Sequence, residues 1–216
     1  MVDIPHYFWF CLAMSSLKTF LYDMSGRLRM SPASLYERQR ELVRHGLLPV
    51  REGRGPGSGV PLTAETVATF LIGLLATDSL IDLAEHTAEL CAAKPSILYP
   101  QQETERTFHS DLADALTEAS AARYTGVSVT RHWRGALILD RPTEFEKNGS
   151  KANHEGFASV EYLVSEQARR DASVFSHTVS LENEPFWLIC IQLRQRLRRL
   201  EPPSPASGEL AGGANE

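Results

Sequence analysis

Apolar residues recur at helical spacing through most of the first half of the chain and at strand spacing through parts of the second. Leu17, Phe20, Leu21, Met24 and Leu28 predict a helix from about Ser16 to Leu28. "SGRLRMS" breaks that pattern, and Ser31 followed by Pro32 opens a second helix. A serine hydroxyl accepts from the unpaired amides of a first turn, and proline has no amide hydrogen to lose at the first helical position. The end falls at Gly46, which suits a left-handed cap, and Arg44 and His45 complement the helix dipole in the last turn. Leu35, Gln39, Leu42 and Val43 gather on one side of this helix. Glu37, Arg38, Arg40, Glu41, Arg44 and His45 fall around the other, with Tyr36 at the border. "PVREGRGPGSGVPL" then predicts a strand, a glycine-rich turn and a return strand.

Thr63 caps the apolar helix "TAETVATFLIGLLAT", whose expected core face is Val67, Phe70, Leu71, Leu74 and Leu75. "DSLIDLAEHTAELCAAK" predicts another helix from near Asp78, ending before Pro95, and "PSILYPQQETER" a linker. Beyond it come a helix from Phe108 to Ala122, a strand alternating Val127, Val129 and Arg131, and "GALIL", which extends or pairs with it. "FASVEYLV" and "VFSHTVSL" are two more strand candidates, and "NEPFWLICIQLRQRLRRL" is an amphipathic closing helix. "DRPTEFEKNGSKANHEG" reads as an exposed loop, and the apolar-poor "EPPSPASGELAGGANE" as a disordered tail. The expected fold class is α+β.

Charge sharpens the picture in one place. The formal net charge is −5, which gives no sign of a protein that coats nucleic acid through bulk positive charge. Residues 1–62, however, hold eight Lys and Arg against five Asp and Glu, leaving fourteen bases against twenty-two acids in the remainder. Five arginines fall within residues 31–60. Such local asymmetry is what an anionic-ligand site produces. The three cysteines, Cys11, Cys91 and Cys190, are odd in number and widely spaced, which argues against a disulfide framework and fits a cytoplasmic protein. The apolar opening "PHYFWFCLAM" is half of what a membrane span of about twenty residues needs, so no membrane partner is expected.

Catalytic patterns are weak. His86 and Cys91 lie five apart on a predicted helix with no companion ligand. In "FHSDLAD", His109, Ser110, Asp111 and Asp114 fit helix N-terminal roles equally well, and Asp140, Glu144 and Glu146 form a loop carboxylate cluster without an identifiable partner. "GRGPGSG" lacks both the Gly-Lys-Ser/Thr ending and the spaced glycines of nucleotide loops. No enzyme activity, cofactor or metal is expected.

Residues 31–60 resemble the recognition helix and wing of winged helix-turn-helix transcription regulators. The GntR-type pattern of spaced leucines, Gly-Leu-Leu, four residues and Gly-x-Gly is matched by Leu35, Leu42, Gly46-Leu47-Leu48, "PVRE" and Gly53-Arg54-Gly55. MerR-type regulators share "GLLP" and a helix opening such as "VPLTAETVA", but in them Tyr-Glu-Arg abuts the glycine. Here seven residues separate Tyr36-Glu37-Arg38 from Gly46. The resemblance implies a winged helix-turn-helix domain over residues 1–95, a mixed α/β dimerisation or sensing domain over 106–200, and a tail over 201–216. It also implies sequence-specific binding of double-stranded DNA by a homodimeric regulator. Ser34, Tyr36, Arg38, Arg40 and Arg44 would be the recognition-helix contacts, and Arg51 and Arg54 the wing contacts. The alternatives are a mobile-element replication, packaging or partition factor, and a protein-interaction module without a nucleic-acid role. No feature identifies a small-molecule effector.

Overall fold

Local capping explains where the first helices begin and end. The computed structural model describes residues 16–51, 59–95, 106–117, 124–131, 135–140, 159–163, 178–182 and 184–200. Helix α1 (Leu17–Met24) follows Ser16, whose Oγ accepts from the Thr19 amide at 3.3 Å. It stops four residues short of the expected Leu28: residues 25–29 form turns, and Arg29 adopts φ 53°. Helix α2 (Pro32–Arg44) starts as its sequence predicts, with Ser31 Oγ accepting from the Ser34 amide at 3.1 Å.

The end of α2 is a Schellman motif. Leu47 N–H donates to the Leu42 carbonyl at 2.9 Å and Gly46 N–H to that of Val43 at 3.0 Å. Gly46 sits at φ +74°, where a side chain is strained. The chain then returns through a bridge in which Arg51 and Gly59 exchange backbone hydrogen bonds at 3.0 and 3.3 Å. A second bridge, Ser16 with Pro61, fastens this return to the start of α1.

Helix α3 (Ala64–Ala76) is the centre of the molecule. Thr63 and Thr66 form a reciprocal capping box, and the Thr66 hydroxyl also donates to the Pro61 carbonyl at 2.8 Å. Of its thirteen residues only Glu65 and Leu74 are not buried, so the helix has no solvent face of the usual width. It packs on α4 (Leu83–Cys91) and α5 (Phe108–Thr117).

The remaining elements are β1 (Lys94–Pro95), β2 (Tyr124–Thr130), β3 (Gly135–Asp140), β4 (Ser159–Leu163), β5 (Thr178–Glu182) and α6 (Glu184–Leu200). The strands form one antiparallel sheet in the order β1-β4-β3-β2-β5. "GALIL" pairs with the preceding strand, Val127 opposite Ile138 and Val129 opposite Ala136. Both α3 and α6 pack on β2 and β5, and α5 lies against α3 and α6. Phe108 of α5 meets Tyr162 of β4 with ring centroids 5.2 Å apart. The Tyr162 hydroxyl donates to the buried Asp111 carboxylate, which also accepts from Arg106 Nε at 2.9 Å.

The chain is thus a mixed α+β protein, with six helices among the described residues. The expected break at 95–106 does not divide its core. One continuous apolar cluster runs from Leu17 and Leu42 through Phe70 and Phe108 to Val127 and Leu193. The expected linker begins with a strand, because Lys94 and Pro95 pair with Leu163 and Tyr162. The N-terminal leader, the loop at 141–156 and the tail at 201–216 lie outside the described residues. No helix among the described residues is long and apolar enough to cross a membrane.

The left-handed Gly46 gives a stability prediction. Gly46→Ala should lower the unfolding free energy by about 1 kcal/mol, from the strain of a side chain at positive φ alone, because no atom lies within 4 Å of an added Cβ. Gly26→Ala, equally open but without a positive φ, should be neutral or slightly stabilising. Urea unfolding midpoints check both.

Candidate nucleic-acid interface

Helix α2 presents two chemically different sides. Leu35, Arg38, Gln39 and Leu42 are buried, at spacings of three and four residues that place them on one face. Pro32, Ala33, Tyr36, Glu37, Arg40, Arg44 and His45 are exposed. Tyr36, Arg40 and Arg44 follow one another at steps of four, so they form a single row about 12 Å long at 1.5 Å per residue. Lys18 of α1 lies beside this row, its Nζ 4.4 Å from the Tyr36 ring centroid.

A second row, Glu37 and Glu41, runs alongside the first. Arg40 Nη1 lies 3.1 Å from Glu37 Oε1, and the Arg44 guanidinium pairs with Glu41. His45 Nε2 is 3.0 Å from the other Glu41 oxygen. The hydrogen bond from Arg44 holds the Glu41 carboxyl below the usual carboxylate range, with a smaller contribution from His45 working the same way. Both arginines remain largely open to solvent, at 62% and 72% side-chain exposure. Glu37 is open as well, so its pair with Arg40 contributes only about 0.3–0.5 kcal/mol, whereas the Glu41 side chain is mostly covered, at 13% exposure. Arg40 can therefore exchange Glu37 for another anion at small cost, while Arg44 is held by a carboxylate that is largely covered.

Ser34 is half-buried in the first turn, with its backbone amide committed to the Ser31 cap. Arg51 is exposed, and its backbone pairs with Gly59 in an isolated bridge. Arg54 lies outside the described residues.

Arg38 requires a correction: it is not on the outward face. It is 6% exposed, and its Nη1 and Nη2 donate to the Thr77 and Asp78 carbonyls at 2.9 and 2.8 Å. Burial lowers its pKa, opposed by the Asp78 charge and reinforced by the nearby Arg131. Its position three residues after Leu35 and four before Leu42 already puts it on the apolar side. The residue type hid a signal that the spacing carried. Lys18 escapes a sequence reading for another reason: its place beside Tyr36 depends on how α1 docks on α2, which no local pattern encodes.

Comparison with protein-family models, with curated proteins and with solved structures finds no match for this chain.

The contrast between neighbouring arginines is measurable. Arg38→Ala leaves two carbonyls without their charged donor and should cost about 2–3 kcal/mol of stability. Arg40→Ala should cost less than about 0.5 kcal/mol. Equal losses from the two, read from chemical unfolding curves, would contradict the assignment of Arg38 to the interior.

Proposed function

We propose that the protein binds double-stranded DNA through the exposed face of α2 and the adjoining hairpin, in the manner of a winged helix-turn-helix. The supporting observation is the Lys18-Tyr36-Arg40-Arg44 row on a helix capped at both ends and anchored by its opposite face. A helix fits the roughly 12 Å wide major groove, where arginines can reach phosphates or guanine edges. The hairpin base at Arg51 extends the same segment, and the Ser16–Pro61 bridge ties hairpin to helix pair. Transcription regulation by a homodimer is the job that this reading, together with the resemblance of residues 31–60, favours.

Protein docking is the second reading, and it too has a specific observation in its favour. Glu37 and Glu41 offset Arg40 and Arg44, so the face has mixed charge instead of a single-sign field. The two readings diverge when the acids are removed. For DNA binding, Glu37→Gln with Glu41→Gln should tighten association with a labelled duplex pool. Arg40→Ala with Arg44→Ala should weaken it and reduce the slope of log affinity against log salt by about one for each phosphate no longer neutralised. Fluorescence anisotropy across a salt series measures all three proteins. If neither double variant moves affinity or slope, this face is not the DNA interface, and docking to a protein becomes the better account.

A further inference from the structure

Beside the turn that joins α1 to α2, the apolar core reaches solvent in a cleft of about 470 Å³. That volume falls in the range of roughly 300–1,000 Å³ typical of small-molecule sites. Its apolar wall is assembled from three separate parts of the chain: Leu28 and Met30 from the turn, Leu71 and Leu74 from α3, and Val179 and Leu181 from β5. Five of these six are only partly buried, although all pack on the core cluster, so the cleft is a concentrated site of incompletely covered apolar surface. Leu74 is the residue that departs from the otherwise enclosed α3.

Charge at the cleft is one-sided. Arg131 and Asp78, which also line it, are bound to each other, with Arg131 Nη2 3.0 Å from Asp78 Oδ1. Arg131 Nε further donates to the Leu75 carbonyl at 2.9 Å. That pair is internally neutral. Arg27 and Arg29 stand at the rim, exposed and without an ion-pair partner among the described residues. Two uncompensated guanidiniums above a leucine-rich wall match a ligand with an apolar body and an anionic head.

We infer that this cleft binds a small amphipathic organic anion, a carboxylate or sulfonate carried on an aliphatic or aromatic body. The head group meets Arg27 and Arg29, and the body lies against Leu28, Leu74 and Leu181. Binding at this place bridges the turn before α2 to the sheet. The inference does not rest on DNA binding and is tested on the chain alone.

Titration of the full chain with anilinonaphthalene sulfonate, followed by fluorescence, supplies a probe of the right chemistry. Saturable binding at one site per chain is expected, with decanoate displacing the dye and decylamine failing to do so. Arg27→Gln with Arg29→Gln should weaken the dye about tenfold, and Leu74→Glu, which sets a negative charge on the apolar wall where the body of the anion lies, should abolish saturable binding. Arg27 and Arg29 are exposed, so their double variant should keep the parent's unfolding midpoint. If a variant unfolds early, decanoate displacement with the other decides. The inference is overturned if dye binding does not saturate, if neither variant changes it, or if decylamine displaces the dye as well as decanoate does.

Discussion

The carboxyl end of α3 is where the parts of the molecule are joined, and two guanidiniums join them. A helix leaves its last four carbonyls without intrahelical partners, and the negative end of its dipole lies there. In most surface helices water satisfies those groups. Helix α3 is enclosed by α4, α5 and the sheet, so its carbonyls need donors from the protein. Arg38 comes from α2 to the Thr77 and Asp78 carbonyls, and Arg131 from the end of β2 to the Leu75 carbonyl and the Asp78 side chain. One buried helix end thereby fixes the helix pair and the sheet relative to each other. The burial that lowers the Arg38 pKa is tolerable because carbonyl dipoles and the Asp78 charge surround the cation.

That arrangement explains how α2 can be both anchored and exposed. On its inner side, hydrogen bonds from a buried cation are worth about 1.5–3 kcal/mol each, and exchange with solvent is blocked. On its outer side, the solvent-exposed Arg40 holds Glu37 through a contact worth tenths of a kcal/mol in high dielectric, and Arg44, itself open, reaches the more covered Glu41. The same residue type, two to six positions apart, is a structural rivet in one place and a side chain open to solvent in the other. Burial alone separates the roles. A further tie, from Arg196 of α6 to Asp23 of α1 with the guanidinium 5.9 Å above the Phe20 ring, steadies the back of the helix pair.

Much of the local structure was legible in the sequence because its causes are local. Ser31-Pro32, Gly46 and Thr63 mark helix ends through hydrogen bonds spanning a few residues, and all three act as their chemistry predicts. The alternation of Val127 and Val129 likewise marks a strand with both side chains buried. Non-local relations were not legible. The order β1-β4-β3-β2-β5 brings Lys94 and Pro95 to Leu163 and Tyr162 across nearly seventy residues, and a proline in a predicted linker gives no sign of that pairing. Leu74 fits the core face of α3 by periodicity, yet it borders the cleft, since its cover depends on where β5 docks.

The basic character of the N-terminal segment therefore has more than one physical origin. A count of charges over residues 1–62 treats Arg27, Arg29, Arg38, Arg40 and Arg44 as equivalent. Folding sorts them into three environments: the cleft rim, the buried end of α3, and the outer row of α2. These environments adjoin one another, because the turn carrying Arg27 and Arg29 leads directly into the Ser31 cap of α2. Arg38, fixed on the enclosed end of α3, holds α2 in place while that turn stays open to the cleft. The cleft also borders Leu75, Asp78 and Arg131, so it adjoins both the approach to α2 and the anchorage at the end of α3. The cleft and the outer row are separable by substitution, and the chain from Arg27 to the Ser31 cap is what lies between them in sequence.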